Sequence, residues 1–593
     1  MFQKSSESYC LATTAITEFW DLENRLLFLG PWCLTAKDAE NIIGERDYMI
    51  ASSPWLTAKK RNDAFVYCYD LYKRIVPLIS ERLNIIHEVT YPEKYWRVLV
   101  GPWLLRFIII VFARYKRIEN AVRLYPEFYT YVLPKCKCKT VSYSYEDFIS
   151  GRNGKVRGDY YNLILFSLLI YEICPDKAIE KDINYKLEIN ITRRGWKRKL
   201  FNVLQKPMEL SFNGSIILSE MYHLSIKDLI LLKMRLGFNN VHGLSSVETK
   251  PQSGITLENA YSVRLRAGLR LEGSTDAFQS IFFRILPEAF PMCYLEMYRY
   301  HKNKVGKFSS LKVLFSSVGF ESSETVKFLA AESILRGTKL IEVQHGGGYG
   351  MWFNVPGENI ALEKDLFYSW GWDSYRNKKI KTMPSPYLSG LNETHLNVID
   401  KILFIGTNEE RYEFRFASVI FPDDISKYFN DKRIFFQNLS TALKDKVLYR
   451  ANREVGWNEQ KFIKSSCPNV EFATKWRLVE WMKKTKMVVI DHPHTSFLEA
   501  LTINVPSVFY WDHEVYTMRP EAEPYFQTLR DVGILYRDPI SAVEKVNEIF
   551  DNPGEWWLSD KVKNARKEFC SRFAYARRDW LDVWVKELRK FIY

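Results

Sequence analysis

Met487-Val-Val-Ile-Asp-His-Pro-His-Thr-Ser-Phe-Leu-Glu-Ala-Leu501 reads as a buried strand that runs into a polar loop and leaves it as a helix. Four apolar residues, Met487 to Ile490, have the length and composition of a strand covered on both faces. Ser496 is the expected helix cap, and Ser496 with Glu499 fits the Ser-x-x-Glu capping box. Ser507-Val-Phe-Tyr510 resumes as a strand six residues after Leu501. Upstream, Lys401 to Thr407, Val447 to Arg450 and Val470 to Phe472 are further short apolar runs. Helical stretches lie between, including Lys475 to Lys484. Strands alternating with helices predict a doubly wound parallel sheet over residues 396–558.

The same grammar recurs further back. Leu311 to Ser316 reads as a strand, Thr325 to Arg336 as a small-residue helix, and Lys339 to Val343 as a strand entering Gln344-His-Gly-Gly-Gly348. An aromatic strand, Asp365 to Trp370, follows. Near the start, Arg25-Leu-Leu-Phe-Leu-Gly-Pro-Trp-Cys33 is another apolar run stopped at Gly30-Pro31. Residues 64–116 turn helical, with Tyr67, Leu71, Ile75 and Ile79 at three- and four-residue spacing. Val98 to Phe112 is too short, and with Arg106 too polar, to span a bilayer, so it reads as a buried helix. Residues 140–280 are mixed, with turns marked at Asn153-Gly154 and Asn213-Gly214. The tail carries ten Lys or Arg against five Asp or Glu over 560–593. Its Trp580, Leu581, Trp584, Leu588 and Phe591 stand at helical spacing, suiting a packed closing helix or one lying on an anionic membrane; the packed helix is favoured.

Two parallel α/β units joined by a crossing helix predict an α/β, GT-B-like architecture: two Rossmann-type domains with a helical N-terminal elaboration. The expected divisions are 1–395 on the acceptor side, 396–558 for a nucleotide-sugar, and 559–593 for a basic helix across both. No Gly-x-Gly-x-x-Gly follows a strand and no phosphate-loop motif occurs, which argues against a dinucleotide enzyme.

Composition narrows the chemistry. Among 593 residues, 15% are aromatic and the net charge is +14. That charge suits an anionic partner such as a nucleotide, a phosphate or a membrane surface. The basic residues are dispersed and no nucleic-acid module is legible, so nucleic acid is not an expected partner. Nine scattered cysteines make no disulfide framework. Cys136 and Cys138 have no second pair at zinc spacing, so no metal is expected. The N-terminal residues lack a signal peptide's apolar core, which points to the cytoplasm.

Three constellations can carry chemistry. In the first, Thr495, Ser496 and the free N–H groups opening a helix would receive a phosphate oxygen, with His492 as a further donor. Second, His345 follows a buried strand and precedes a glycine triplet that lets a ligand approach the backbone. The third is Arg450 and Arg453, which offer two guanidinium groups after a strand, able to bind phosphate or to pair with Glu454. Thr407 closes the strand Lys401 to Thr407 at the same edge. For proton transfer the candidates are His345, Glu288 and Glu296.

Phe28-Leu-Gly-Pro-Trp-Cys33, Tyr91 to Arg97, Gly101-Pro-Trp-Leu104, Gln344-His-Gly-Gly347 and Asp491-His-x-x-Thr495 carry a resemblance to a known family. The chain resembles, from about residue 20 to 555, a bacterial family of transferases first noted in leptospires and found in surface-carbohydrate and O-antigen gene clusters. More distantly it is similar to GT-B transferases of capsule assembly that use CMP-activated ulosonic acids; where those carry His-Pro, this chain has Arg450 to Arg453. The resemblance implies sugar transfer. With the leaving group's charge met by a helix N-terminus and no clear Asp-x-Asp motif at a strand end, the expected enzyme is a metal-independent glycosyltransferase with no cofactor beyond its nucleotide-sugar co-substrate. Its acceptor would be a surface glycan or glycolipid, met near Gly30, Trp32, Trp96 and Gln344, with peripheral contact at the inner membrane. Glu499 would stand with the donor residues. Two alternatives stay open: a polyol-phosphate transferase using a CDP-linked donor, and a non-catalytic glycan-binding member of an assembly complex.

Overall fold

The computed structural model describes residues 8–149, 155–183, 214–222, 224–244, 260–305, 311–374, 377–391 and 398–592. The expected boundary at 395–396, and the turns at Asn153-Gly154 and Asn213, lie outside the described residues.

Three all-parallel sheets follow one another along the chain. The first holds β1 (Tyr9–Ala12), β2 (Arg25–Phe28), β3 (Tyr48–Ile50), β4 (Phe128–Val132) and β5 (Ala178–Glu180), in the order β3-β2-β1-β4-β5. In the second are β6 (Ile216–Ser219), β7 (Val241–Leu244), β8 (Val313–Ser316), β9 (Lys339–Val343), β10 (Leu366–Ser369) and β11 (Ile380–Thr382), in the order β11-β10-β9-β8-β6-β7. The third comprises β12 (Ile399–Ile405), β13 (Val447–Arg450), β14 (Glu471–Phe472), β15 (Thr485–Ile490), β16 (Ser507–Tyr510) and β17 (Leu535–Tyr536), in the order β14-β13-β12-β15-β16-β17. Residues expected to form one acceptor-side domain therefore contain two sheets. The extra sheet's first strand, Tyr-Cys-Leu-Ala, pairs β2 in parallel from Tyr9↔Arg25 to Ala12↔Phe28.

Burial on both faces explains why these strands are short apolar runs. In β12, Ile402, Leu403 and Phe404 are fully buried. Ile402 and Phe404 pack with Phe435 and Phe436 of a helix, Ile425–Asn438, while Leu403 and Ile405 join the large central core. Two long helices, α1 (Ala58–His87) and α2 (Glu93–Leu124), fill the space between sheets. The most apolar window of α2 is 94% buried inside the protein, which makes it a core element as expected for Val98 to Phe112. Its cations tie it to segments of two different sheets. Lys94 pairs with Asp365 at 2.7 Å and Arg106 with Glu321 at 3.2 Å, beside the second sheet. Arg117 pairs with Glu413 and Asp423, in the segment after β12.

The tail is two helices rather than one, α3 (Asp560–Phe573) and α4 (Trp580–Arg589). Between them the Tyr575 N–H donates to the Trp370 carbonyl at 3.0 Å, and the Tyr575 carbonyl accepts from Ser385 N–H at 2.8 Å. Those backbone groups are spent on the second sheet's loops, so the helix cannot continue through them. α4 lays Trp584, Val585 and Leu588 on the second sheet's face, against Phe315 and Tyr368. The chain thus returns from the third sheet to the second.

Candidate functional site

The carboxyl ends of β9 and β15 meet. After β9, Gln344 is spent holding the loop: its Oε1 accepts from Trp370 N–H at 2.9 Å and Trp372 Nε1 at 2.8 Å, and its Nε2 donates to the Gly346 carbonyl at 2.9 Å. After β15, a helix α5 (Thr495–Ile503) begins at Thr495 with His494 as its N-cap. The Gly347 N–H donates to Thr495 Oγ1 at 3.0 Å. A bare glycine at 347 is needed for this contact, since a Cβ there would sit 3.0 Å from the His494 carbonyl carbon and the Thr495 nitrogen. Because its oxygen accepts from Gly347, the Thr495 hydroxyl keeps its own proton for a ligand at the helix's positive end.

The expected cap at Ser496 is corrected. Ser496 lies inside the helix, and its Oγ stands 3.0 Å from His492 Nε2. Glu499 does not close a capping box; it accepts from the Tyr387 hydroxyl across the cleft, and burial raises its carboxyl's pKa. His492 Nδ1 lies 3.0 Å from Asp491 Oδ1, which also accepts from the Tyr428 hydroxyl at 2.8 Å. Lys432 Nζ is 3.5 Å from Asp491 Oδ2. Thr407, buried after β12, places Oγ1 3.3 Å from His494 Nδ1. Burial chiefly, then His492 and Arg415, hold His494 well below the usual histidine pKa.

His345 is half-buried, with Nδ1 3.3 Å from the Tyr349 hydroxyl and the Tyr222 ring edge-on at 6.0 Å. Burial lowers its pKa against the pull of Glu321, so the imidazole is neutral at neutral pH and free to accept a proton. Burial disfavours the Glu321 charge, yet Arg106, His345 and Tyr145 together hold its carboxyl below the usual range. Glu321 and Asp491 are thus site residues that sequence reasoning did not select. Asp491 stood in the Asp-His-x-x-Thr motif, but Glu321 has no local signal, since Arg106 and Tyr145 come from distant elements.

Other expected site residues lie elsewhere. Glu288 accepts from the Tyr261 hydroxyl, and Glu296 takes Arg266 Nε at 2.8 Å and Ser262 N–H at 3.2 Å, so both serve the helical layer. Trp32 is fully buried in the first sheet's core, its Nε1 donating to the Thr13 carbonyl at 2.9 Å. Gly30 is there to admit it, as a Cβ would meet the Trp32 ring at 2.3 Å. Trp96 donates to Asn84 Oδ1 at 2.8 Å inside the core. Arg450 and Arg453 do not face α5 directly, because β12 runs between β13 and β15. Arg450 donates to the Ala473 carbonyl, and Arg453 pairs with Glu410 at 2.6 Å rather than Glu454.

Two parallel sheets meeting at their carboxyl edges, with the final helix returning across them, define a GT-B-type transferase fold. The chain belongs to the LIC12162 family of transferases, whose model matches residues 9–588. Solved structures with similar layout include MurG of Acinetobacter baumannii, 12% identical over 64% of this chain and 99% of that one, with a TM-score of 0.32. A glycosyltransferase from Rickettsia africae is 10% identical over 64% and 99%, with a TM-score of 0.34. UDP-GlcNAc 2-epimerase from Neisseria meningitidis, bound to UDP-GlcNAc, is 10% identical over 63% and 100%, with a TM-score of 0.35. Likeness at that level carries nothing about substrate. No curated protein is a significant match to the sequence.

Proposed function

We propose that the protein transfers a sugar from a nucleotide-activated donor to a glycan or lipid-linked acceptor in surface-polysaccharide synthesis. The observation that carries this reading is the 3.0 Å contact from Gly347 N–H to Thr495 Oγ1. It seats the loop bearing a neutral histidine on the first turn of a helix whose N–H groups are free for phosphate. In this reading His345 takes the proton of the acceptor hydroxyl as it attacks the sugar's anomeric carbon. The bond from that carbon to the phosphate oxygen breaks, and Thr495, Ser496 and the α5 N-terminus receive the leaving phosphate's charge. A helix end doing this work needs no divalent metal, so transfer should survive EDTA; loss on chelation overturns that point. His345→Ala should cut transfer by about 100-fold or more while nucleotide binding stays near normal. Equal loss of both would show that His345 holds structure and does not move a proton.

The acceptor would be held at the inner membrane face by exposed cations of the tail, among them Lys563, Lys567, Arg578 and Arg589. Sedimentation with anionic vesicles should weaken as salt rises.

A further inference from the structure

Between β6 and β7, a helix α6 (Ile226–Leu236) buries one side only. Leu232 and Leu236 enter the same core as Trp584, Val585 and Leu588 of α4, so the two helices lie on one face of the second sheet. The other side of α6 breaks the usual pattern, in which a surface helix turns polar residues to water. Ile226, Ile230 and Met234 recur at four-residue spacing and are 56%, 46% and 65% exposed. Phe238, just past the helix, continues the row at 58%. A contiguous exposed apolar ridge of this kind marks an interaction surface.

Charge identifies the partner. Lys227 and Arg235, both exposed, border the ridge on one side. Arg235 pairs with Asp582 of α4 at 2.7 Å, and exposed Lys586 and Arg589 follow Asp582 on the same helix stripe. The nearby carboxylates are spent inside the fold: Asp582 on Arg235, and Asp228 on the Ser225 N–H and hydroxyl that cap α6. What faces solvent is a row of apolar side chains edged by cations, the pattern that lies in a lipid headgroup layer. α6 also starts beside the proposed site, since Tyr222, four residues before Ile226, stands edge-on to His345 at 6.0 Å.

Resting on the membrane contact proposed above, we infer that this surface seats the protein on an anionic bilayer. Ile226, Ile230, Met234 and Phe238 insert at the boundary between headgroups and acyl chains, and Lys586 and Arg589 meet lipid phosphates. Contact through cations alone vanishes with salt, whereas an inserted ridge keeps a part that salt does not screen.

Sedimentation of the full chain with phosphatidylglycerol–phosphatidylcholine vesicles, from about 0.05 to about 0.5 M salt, separates the two parts. Wild-type binding should fall as salt rises and then level off above zero. Ile230→Ser with Met234→Ser should remove that remainder, lowering partitioning at high salt by about 10-fold or more with an unchanged melt. Phe238→Ser, outside the helix, should act in the same direction. Lys586→Gln with Arg589→Gln should weaken binding at low salt and leave the remainder. Three results overturn the inference and leave the cation contact standing: wild type released wholly by salt, a double-serine variant that binds like wild type, or a wild-type dimer in solution that the double-serine variant breaks. Absence of binding at low salt removes the membrane contact itself, and this inference with it.

Discussion

Replacing Gly347 by alanine tests how closely the carboxyl edges of the second and third sheets approach. Gly346 and Gly347 both lie outside left-handed backbone, so alanine strains neither locally. The difference is what a new Cβ meets. At Gly347 it lands 3.0 Å from two backbone atoms, the His494 carbonyl carbon and Thr495 nitrogen, and 3.2 Å from the His494 oxygen. Ordinary contact begins near 3.4 Å, so the loop and α5 must separate by several tenths of an ångström. Overpacking against unyielding atoms costs about 1–3 kcal/mol, and stretching the Gly347 to Thr495 hydrogen bond adds about 1 kcal/mol. Should that sum of about 2–4 kcal/mol fall on the bound state, at 1.4 kcal/mol per factor of ten, nucleotide affinity drops roughly 30- to 700-fold. At Gly346 the new Cβ meets only Thr495 Oγ1, at 3.0 Å, a single side-chain atom that can give by a few tenths of an ångström while still accepting from Gly347 N–H. Gly346→Ala should cost less than about 1 kcal/mol. Titration calorimetry of both variants, with a thermal melt to verify folding, gives the comparison. Wild-type affinity in Gly347→Ala, or equal losses in the two variants, would refute the contact as described.

Other perturbations follow from the same structure. Burial pushes the Glu342 carboxyl from 4.5 to about 8, with Lys364 3.8 Å away pulling weakly the other way. A raised acid favours the folded state while protonated, so its contribution is present below about pH 4.5 and lost as pH rises through about 8, on the order of 5 kcal/mol in all. Glu342→Gln should therefore melt higher than wild type above pH 8 and alike at pH 5; a uniform difference at both would show that ionisation is not the cause. Arg117→Met takes from fully buried Glu413 and from Asp423 their closest cation, leaving Glu413 only Arg114 at 3.6 Å, and should destabilise by about 3–5 kcal/mol, read as a lower melting temperature. Thr495→Val removes both the hydroxyl proton offered to the phosphate and the oxygen that accepts from Gly347 N–H, and should weaken nucleotide binding by about 1–2 kcal/mol with a slightly lower melt.

Strands β9, β13 and β16 were legible residue for residue because a parallel strand covered on both faces must be a short apolar run between polar loops. β1 and β4 were not, since Tyr-Cys-Leu-Ala and Phe-Tyr-Thr-Tyr-Val mix aromatic and polar residues. Thr130 is tolerated in the core only because its hydroxyl donates to the Leu11 carbonyl at 2.7 Å. The Ser496 cap misled for a related reason: Ser-x-x-Glu fits the box locally, but His492 claims the serine and Tyr387 the glutamate. Both competitors act from outside the motif, one across the cleft. Tryptophans at 32 and 96 look alike in sequence whether they face a sugar or a core. Their indole N–H bonds to Thr13 and Asn84 decide for the core, and neither partner is predictable from spacing.

Helix α2 has a consequence for turnover. One continuous rod is bolted by Lys94 and Arg106 to the sheet that carries His345, and by Arg117 to the chain that leaves β12 beside Thr407. A wide swing of one sheet away from the other would shear buried ion pairs at the far end of that rod, each costly to expose singly. The two edges are therefore held at a preset spacing. In the proposed reaction, ligands would then enter and leave by rearrangement of short loops and side chains rather than by rocking of whole lobes.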